Sequence, residues 1–198
     1  MTSIANSDYS KSHDELNISS KGLNECLILK LTSKWNYGLE IACRRGHREL
    51  AKFLIAKGAN NWNWGLRGAC QGNHKDLIKL MIDNGADDWN CGLCGACEGG
   101  HKELVESMIA KGANKWNKGL RATCEGGHKE LAELMIANGA NNWNKGLTFA
   151  CEGGYKDLVE LMIDKGADDW NYGYELARDQ GHQEIVDLLI AKKRLLFG

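Results

Sequence analysis

Residues 116–142 read WNKGLRATCEGGHKELAELMIANGANN, and the whole fold can be argued from this stretch. It divides at Gly126-Gly127. Ahead of the glycines is a short run whose apolar residues share one helical face, as Leu66, Ala69 and Cys70 do two copies earlier, where Asn63 is the expected N-cap. Behind them, His128-Lys129-Glu130 opens a second pattern, with Leu131, Ala132, Leu134, Met135 and Ile136 forming a stripe broad enough for burial on two sides. Gly139 stands where a helix needs a left-handed C-terminal cap. The stretch predicts two short helices joined by a glycine turn.

The same stretch recurs. Trp35, Trp62, Trp89, Trp116, Trp143 and Trp170 are each 27 residues apart, each followed by Asn and, two residues later, Gly. Counting the Trp as place one, the unit is W-N-x-G-L-x-x-A-C-E-G-G-H-K-E-L-V-E-L-M-I-x-K-G-A-D-D. Six units follow, at 35–61, 62–88, 89–115, 116–142, 143–169 and 170–196. A hairpin this small cannot bury its own apolar face, so neighbours must stack into a shared core whose ends need polar caps. The last unit fits such a cap, with Tyr174 for Leu, Arg178 for Cys and Lys193-Arg194 for Gly-Ala. At the other end Leu23, Glu25, Cys26, Leu27, Ile28 and Lys30 keep the register of a second helix without the Trp. Residues 13–34 therefore read as degenerate N-terminal capping helices, and 1–12 as a disordered tail.

The string A-C-E-G-G-H-K-E-L-V-E-L-M-I-x-K-G-A-D resembles the ankyrin repeat, A-A-x-x-G-H-x-E-V-V-x-L-L-L-x-x-G-A-D, with Gly-Leu where that family has Pro-Leu. Six in-register copies over residues 35–196 make the likeness specific. Two departures stand out. The ankyrin unit is about 33 residues, so about six are missing between Gly-Ala-Asp and the next helix, where ankyrins build a projecting β-hairpin. The proline that opens the first helix is also missing, in a chain with no Pro at all. The resemblance implies an all-α, ankyrin-like helical-hairpin solenoid that binds protein with its first helices on the concave side, its hairpin fingers absent or vestigial. The short W-N-x-G-L form is also similar to ankyrin arrays encoded in numbers by large DNA viruses of amoebae.

Composition narrows the function. With 25 basic against 26 acidic side chains and a formal charge of -1, no global field draws the chain to nucleic acid or to an anionic membrane. Neither a signal-peptide run nor a membrane span is visible. Cys43, Cys70, Cys97, Cys124 and Cys151 share one place in successive units, which puts neighbours about 8 to 10 Å apart and beyond disulfide reach. Free thiols of this kind fit an intracellular, cytoplasmic protein, in the host cytoplasm if the source is viral.

Several constellations were weighed as sites. The Trp ladder could stack bases or a partner's side chains, but its strict periodicity favours structure: each indole fills the space of the missing hairpin and packs on the next. His47, His74, His101, His128 and His182, with Tyr155 in the fifth copy, recur once per unit and cannot converge on one ion or substrate, which favours a role in stabilising the turn. Cys91, Cys94, Cys97 and His101 form C-x2-C-x2-C-x3-H, a thiolate pattern, yet Cys97 and His101 are the ordinary occupants of their places. A metal or redox protein centred on Cys91, Cys94 and Cys97 is the alternative, and a single-stranded nucleic-acid binder using the Trp ladder is a further one. No phosphate loop or nucleophile–base pair is present, so no enzyme, cofactor or metal is expected.

The remaining signal is variation. Places three, seven and ten fall at i, i+4 and i+7, a stripe read as lying opposite the buried face, with place six beside it. Place three runs Tyr37, Trp64, Cys91, Lys118, Lys145, Tyr172; place ten runs Arg44, Gln71, Glu98, Glu125, Glu152, Asp179; Arg67 and Arg121 stand at place six, and Phe149 and Leu176 at place seven. An aromatic and basic N-terminal third would thus face an acidic C-terminal half. Tyr37, Trp64, Arg44 and Arg67 are of the types that dominate interface hot spots. The expectation is a non-catalytic, monomeric scaffold or adaptor holding a protein partner on its concave face, with neither nucleic acid nor membrane as a ligand.

Overall fold

The structure is a computed structural model that describes residues 25–197, with side chains placed from 34 to 194. The expected tail at 1–12 and the first half of the expected cap lie outside the described residues. Among those described there are twelve helices and no strand: α1 (Glu25–Arg44), α2 (Arg48–Ala56), α3 (Trp62–Gln71), α4 (Lys75–Asp83), α5 (Trp89–Glu98), α6 (Lys102–Ala110), α7 (Trp116–Gly126), α8 (Lys129–Ala137), α9 (Trp143–Gly153), α10 (Lys156–Asp164), α11 (Trp170–Asp179) and α12 (Gln183–Phe197). The chain is an all-α solenoid of helical hairpins. Odd-numbered helices are the first of each repeat and even-numbered ones the second.

α1 runs across position 35 without a break. The physical reason is local: Leu31-Thr32-Ser33-Lys34 stands where every later repeat has a Gly-Ala stop ahead of its Trp, so nothing ends the helix there.

Two kinds of cap punctuate the array. Each second helix of the first five repeats ends in a Schellman motif: Gly139, with φ +105°, donates to Ile136 and Ala140 donates to Met135. Ala140 and its equivalents are buried in the core, the apolar contact that accompanies this cap. First helices end in the same pattern, with Gly46, Gly100, Gly127, Gly154 and Gly181 at positive φ and Asn73 (φ 58°) in the second repeat. At the other end the expected N-cap is shifted. Asn61 accepts from the Trp64 amide and Asn142 from the Lys145 amide; Asn63 is already inside α3 and does something else, described below.

The core is a continuous file through the hairpins: Leu66, Ala69, Cys70, Leu77 and Met81 in the second repeat, and Leu147, Ala150, Cys151, Leu158 and Met162 at the same places of the fifth. Glycine at place four lets the two helices of a hairpin close up. The Met81, Met108, Met135 and Met162 side chains lie where a Cβ at Gly65, Gly92, Gly119 or Gly146 would be. Successive first helices approach one another more closely than successive second helices do, because the former meet through Gly, Ala and Cys and the latter through Leu, Ile and Met. The stack therefore fans open on the second-helix side and the first helices line the inner face. Leu50 and Phe53 on α2 are exposed, with no second helix stacked before them among the described residues.

Candidate functional site

The inner face is built from places three, six, seven and ten, and the structure divides them differently from the stripe read in the sequence. Place seven is not on the open surface in the middle of the array: Gly68, Gly95 and Ala122 are buried. A Cβ on Gly68 would fall on the Glu40 carbonyl oxygen, and one on Gly95 on that of Arg67. Place seven is thus the contact between neighbouring first helices, and glycine there is what lets their backbones meet. Phe149 is half-buried against the core, with the Arg121 guanidinium 5.1 Å and the Lys145 ammonium 5.2 Å from its ring centre. Its aromatic face is covered by two cations of its own chain.

Places three, six and ten remain open. Tyr37, Trp64 and Tyr172 at place three are 59%, 47% and 49% exposed; Lys118 and Lys145 beside them are exposed too. Arg44, Glu125, Glu152 and Asp179 at place ten are also exposed. Places three and ten of one helix are about 10 Å apart along its axis. The aromatic and basic row therefore runs along one edge of the face and the acidic row along the other, so the charge alternates across the groove as well as along it.

Arg67, Gln71 and Glu98 are engaged with one another. Arg67 donates to Glu98 Oε2 at 2.9 Å and meets Glu40 Oε1 at 3.5 Å, while Gln71 donates to Glu98 Oε1 at 2.7 Å. This chain ties three consecutive first helices together. Burial works against the Arg67 charge, but Glu98 and Glu40 outweigh it and its pKa is raised; the guanidinium is a fixed cation.

Between the second and fourth repeats the face is notched. Trp64 and Arg67 form one wall, Lys118 and Arg121 the other, and Cys91 and Cys94 lie between, enclosing a cavity of about 400 Å³. Cys97, the third thiol of the sequence pattern, is fully buried in the core, away from the cavity lining. Among the described residues no group of three or more His, Cys, Asp or Glu is placed to hold a metal ion. All seven described cysteines are free thiols. Burial pushes Cys43, Cys70, Cys124 and Cys151 up to about 12, and burial followed by the Asp88 carboxylate does the same to Cys91.

The remaining conserved-looking places of the unit turn inward or along the stack. His74, His101, His128 and His182 bond through Nε2 to the place-ten carbonyl of the preceding repeat at 3.0–3.2 Å. Each of these rings sits where a Cβ of at least one nearby glycine would be: the His74 ring lies against Gly46 of the repeat before and Gly72 of its own. The turn histidine is a bond between repeats. The Asn after the Trp closes each of the first five repeats at its other end: Asn117 Oδ1 accepts the amides of Asn141 and Asn142 at 2.8 and 2.9 Å, and Asn36, Asn63, Asn90 and Asn144 do the same. This bond holds the short connector that stands where an ankyrin finger would project. Trp35, Trp62, Trp89, Trp116, Trp143 and Trp170 are partly buried and packed against the core.

The family model for ankyrin repeats, three copies in length, matches residues 39–119 and 93–172, together well over half of the chain. The chain is an ankyrin-repeat protein. Ankyrin repeats generally mediate protein–protein interaction, and the family is generally non-catalytic. A search of the curated proteins returns no match. No helix of this ankyrin array, among the described residues, is long and apolar enough to cross a membrane.

Proposed function

We propose that the protein is a non-enzymatic scaffold or adaptor that grips a protein partner along its first-helix face. One observation carries this. Of the five large hydrophobic side chains left exposed among the described residues, Tyr37, Trp64 and Tyr172 stand at one and the same place of the repeat, on three different first helices of the inner face. Core formation does not use them, and exposed aromatics aligned along a groove are what a protein interface is built on. The opposed acidic row at Glu125, Glu152 and Asp179 sets the orientation of whatever lies between the edges. We place the protein inside the cell, acting as a monomer; the seven free thiols among the described residues support a reducing surrounding. The near-neutral charge and the acidic row speak against a nucleic-acid ligand.

The test is a pull-down from the native cell with the full chain, compared with Tyr37→Ala/Trp64→Ala. The expected result is loss of the captured protein with the melting temperature nearly unchanged, since both side chains are about half exposed. Capture that persists with the double variant and with Tyr172→Ala would move the contact surface off this face.

A further inference from the structure

Down the array, places three and six pair as Tyr37 and Glu40, Trp64 and Arg67, Cys91 and Cys94, Lys118 and Arg121, Lys145 and Thr148, Tyr172 and Glu175. The third pair is two short side chains set between two pairs of long ones, and the notch is the gap this leaves. Its lining carries three cations, Arg67, Lys118 and Arg121, against one carboxylate, Asp88. Arg67 is engaged by Glu98 and Glu40. Arg121 reaches Glu125 only at 3.8 Å, and Lys118 makes no ion pair among the described residues. The acid at the rim, Asp88, is occupied as the N-cap of α5: it accepts from the Asn90 amide at 3.0 Å and the Cys91 thiol at 3.4 Å.

The three cations converge on the floor of the notch. Burial, and to a smaller extent the Asp88 carboxylate, raise the Cys94 pKa while Arg67, Arg121 and Lys118 pull it down, and burial prevails. The floor is therefore a neutral thiol inside a positive field, with the Trp64 ring as an apolar wall. Arg67 also has its Nε buried without a partner.

We infer that this notch receives a single carboxylate side chain of the protein partner, held between Lys118 and Arg121 with its apolar neighbour against Trp64. The inference rests on the reading of this face as a protein-binding groove. A carboxylate on a peptide suits the site better than a nucleic-acid backbone, because the Glu98, Glu125 and Glu152 row on the opposite edge would repel a run of phosphates, whereas a single carboxylate can enter alone.

Fluorescence anisotropy of the full chain tests it, with a labelled short peptide carrying one Glu beside a Leu among neutral polar residues, its Gln counterpart and an oligothymidylate of similar length as probes. The Glu peptide is expected to bind at least about tenfold more tightly than the Gln peptide and to weaken with salt. Lys118→Glu/Arg121→Glu should abolish that preference, and Cys91→Leu, which fills the notch without changing charge, should reduce it. Circular dichroism melting reports that each variant is folded. Equal binding of the two peptides, absence of binding by both, or tighter binding of the oligothymidylate would overturn the inference. Native-partner capture that survives the notch variants but is lost with Tyr37→Ala/Trp64→Ala would sink the notch alone; capture indifferent to all of them would sink the groove reading as well.

Discussion

A single methyl group separates two classes of helical glycine in this chain. At Gly68 a Cβ would meet the backbone carbonyl of Glu40, which cannot swing aside, whereas at Gly38 it would meet only the Leu54 methyls at 3.5 Å, an ordinary contact. Helix propensity alone favours alanine at either position by up to about 1 kcal/mol. Gly38→Ala is expected to raise stability by about 0.5–1 kcal/mol, and Gly68→Ala to lower it by about 1–3 kcal/mol as α1 and α3 are pushed apart. Urea midpoints of the two variants should move in opposite directions; a shift of the same sign would refute the close approach. Asn117 is a second residue whose role is set by one atom, since its Oδ1 receives two backbone amides. Asn117→Ala should cost about 1–2 kcal/mol and Asn117→Asp, which keeps the acceptor, distinctly less. Nothing at either position distinguishes these roles within its own helix; the partners are 24 to 28 residues away in the chain.

At the scale of the helix, the apolar faces, glycine turns and Gly-Ala stops were legible from spacing alone, because those features depend on neighbours within one turn. The histidine was legible as a repeating turn residue, but its partner was not: a ring that reaches the carbonyl of the preceding repeat has no signature in its own hairpin. The first helices carry a core thiol in each of the first five repeats, and the pH response follows. The Cys43, Cys70, Cys124 and Cys151 thiols are pushed up to about 12 in the folded chain by burial, against about 8.5 when unfolded. Their folded pKa is the higher one, so the neutral-thiol contribution to stability is complete below about pH 8.5 and is lost as the pH climbs toward 12. Urea midpoints should fall from pH 8 to pH 10, and Cys70→Ala should reduce the slope of unfolding free energy against pH by about one proton's share. An unchanged slope would mean that the thiol is not shielded in the folded helix.

For the molecule as a whole, repetition makes stability a sum over hairpins and their junctions. Deleting residues 89–115 joins Asp88 to Trp116 in register and should leave a folded, shorter array whose urea m-value is reduced by about one sixth; deleting only its first helix should abolish cooperative unfolding. The same deletion removes the notch, so the preference for an acidic peptide should disappear although the array folds. The places where the copies differ single out Trp64, Arg67, Lys118 and Arg121, and these four line one cavity. Its floor has no signature in sequence: Cys91 and Cys94 stand out there only as part of a thiolate pattern, with metal binding as the alternative reading, and become a gap only when long side chains stand on the helices either side. The sequence by itself determined the 27-residue period, the two helices of each unit and their stops, because these follow from local spacing and backbone preference. Only the tertiary structure decided that place seven is a seam, that Arg67, Gln71 and Glu98 bind each other, and where the surplus positive charge gathers, because each depends on distances between successive helices that the stacking alone establishes.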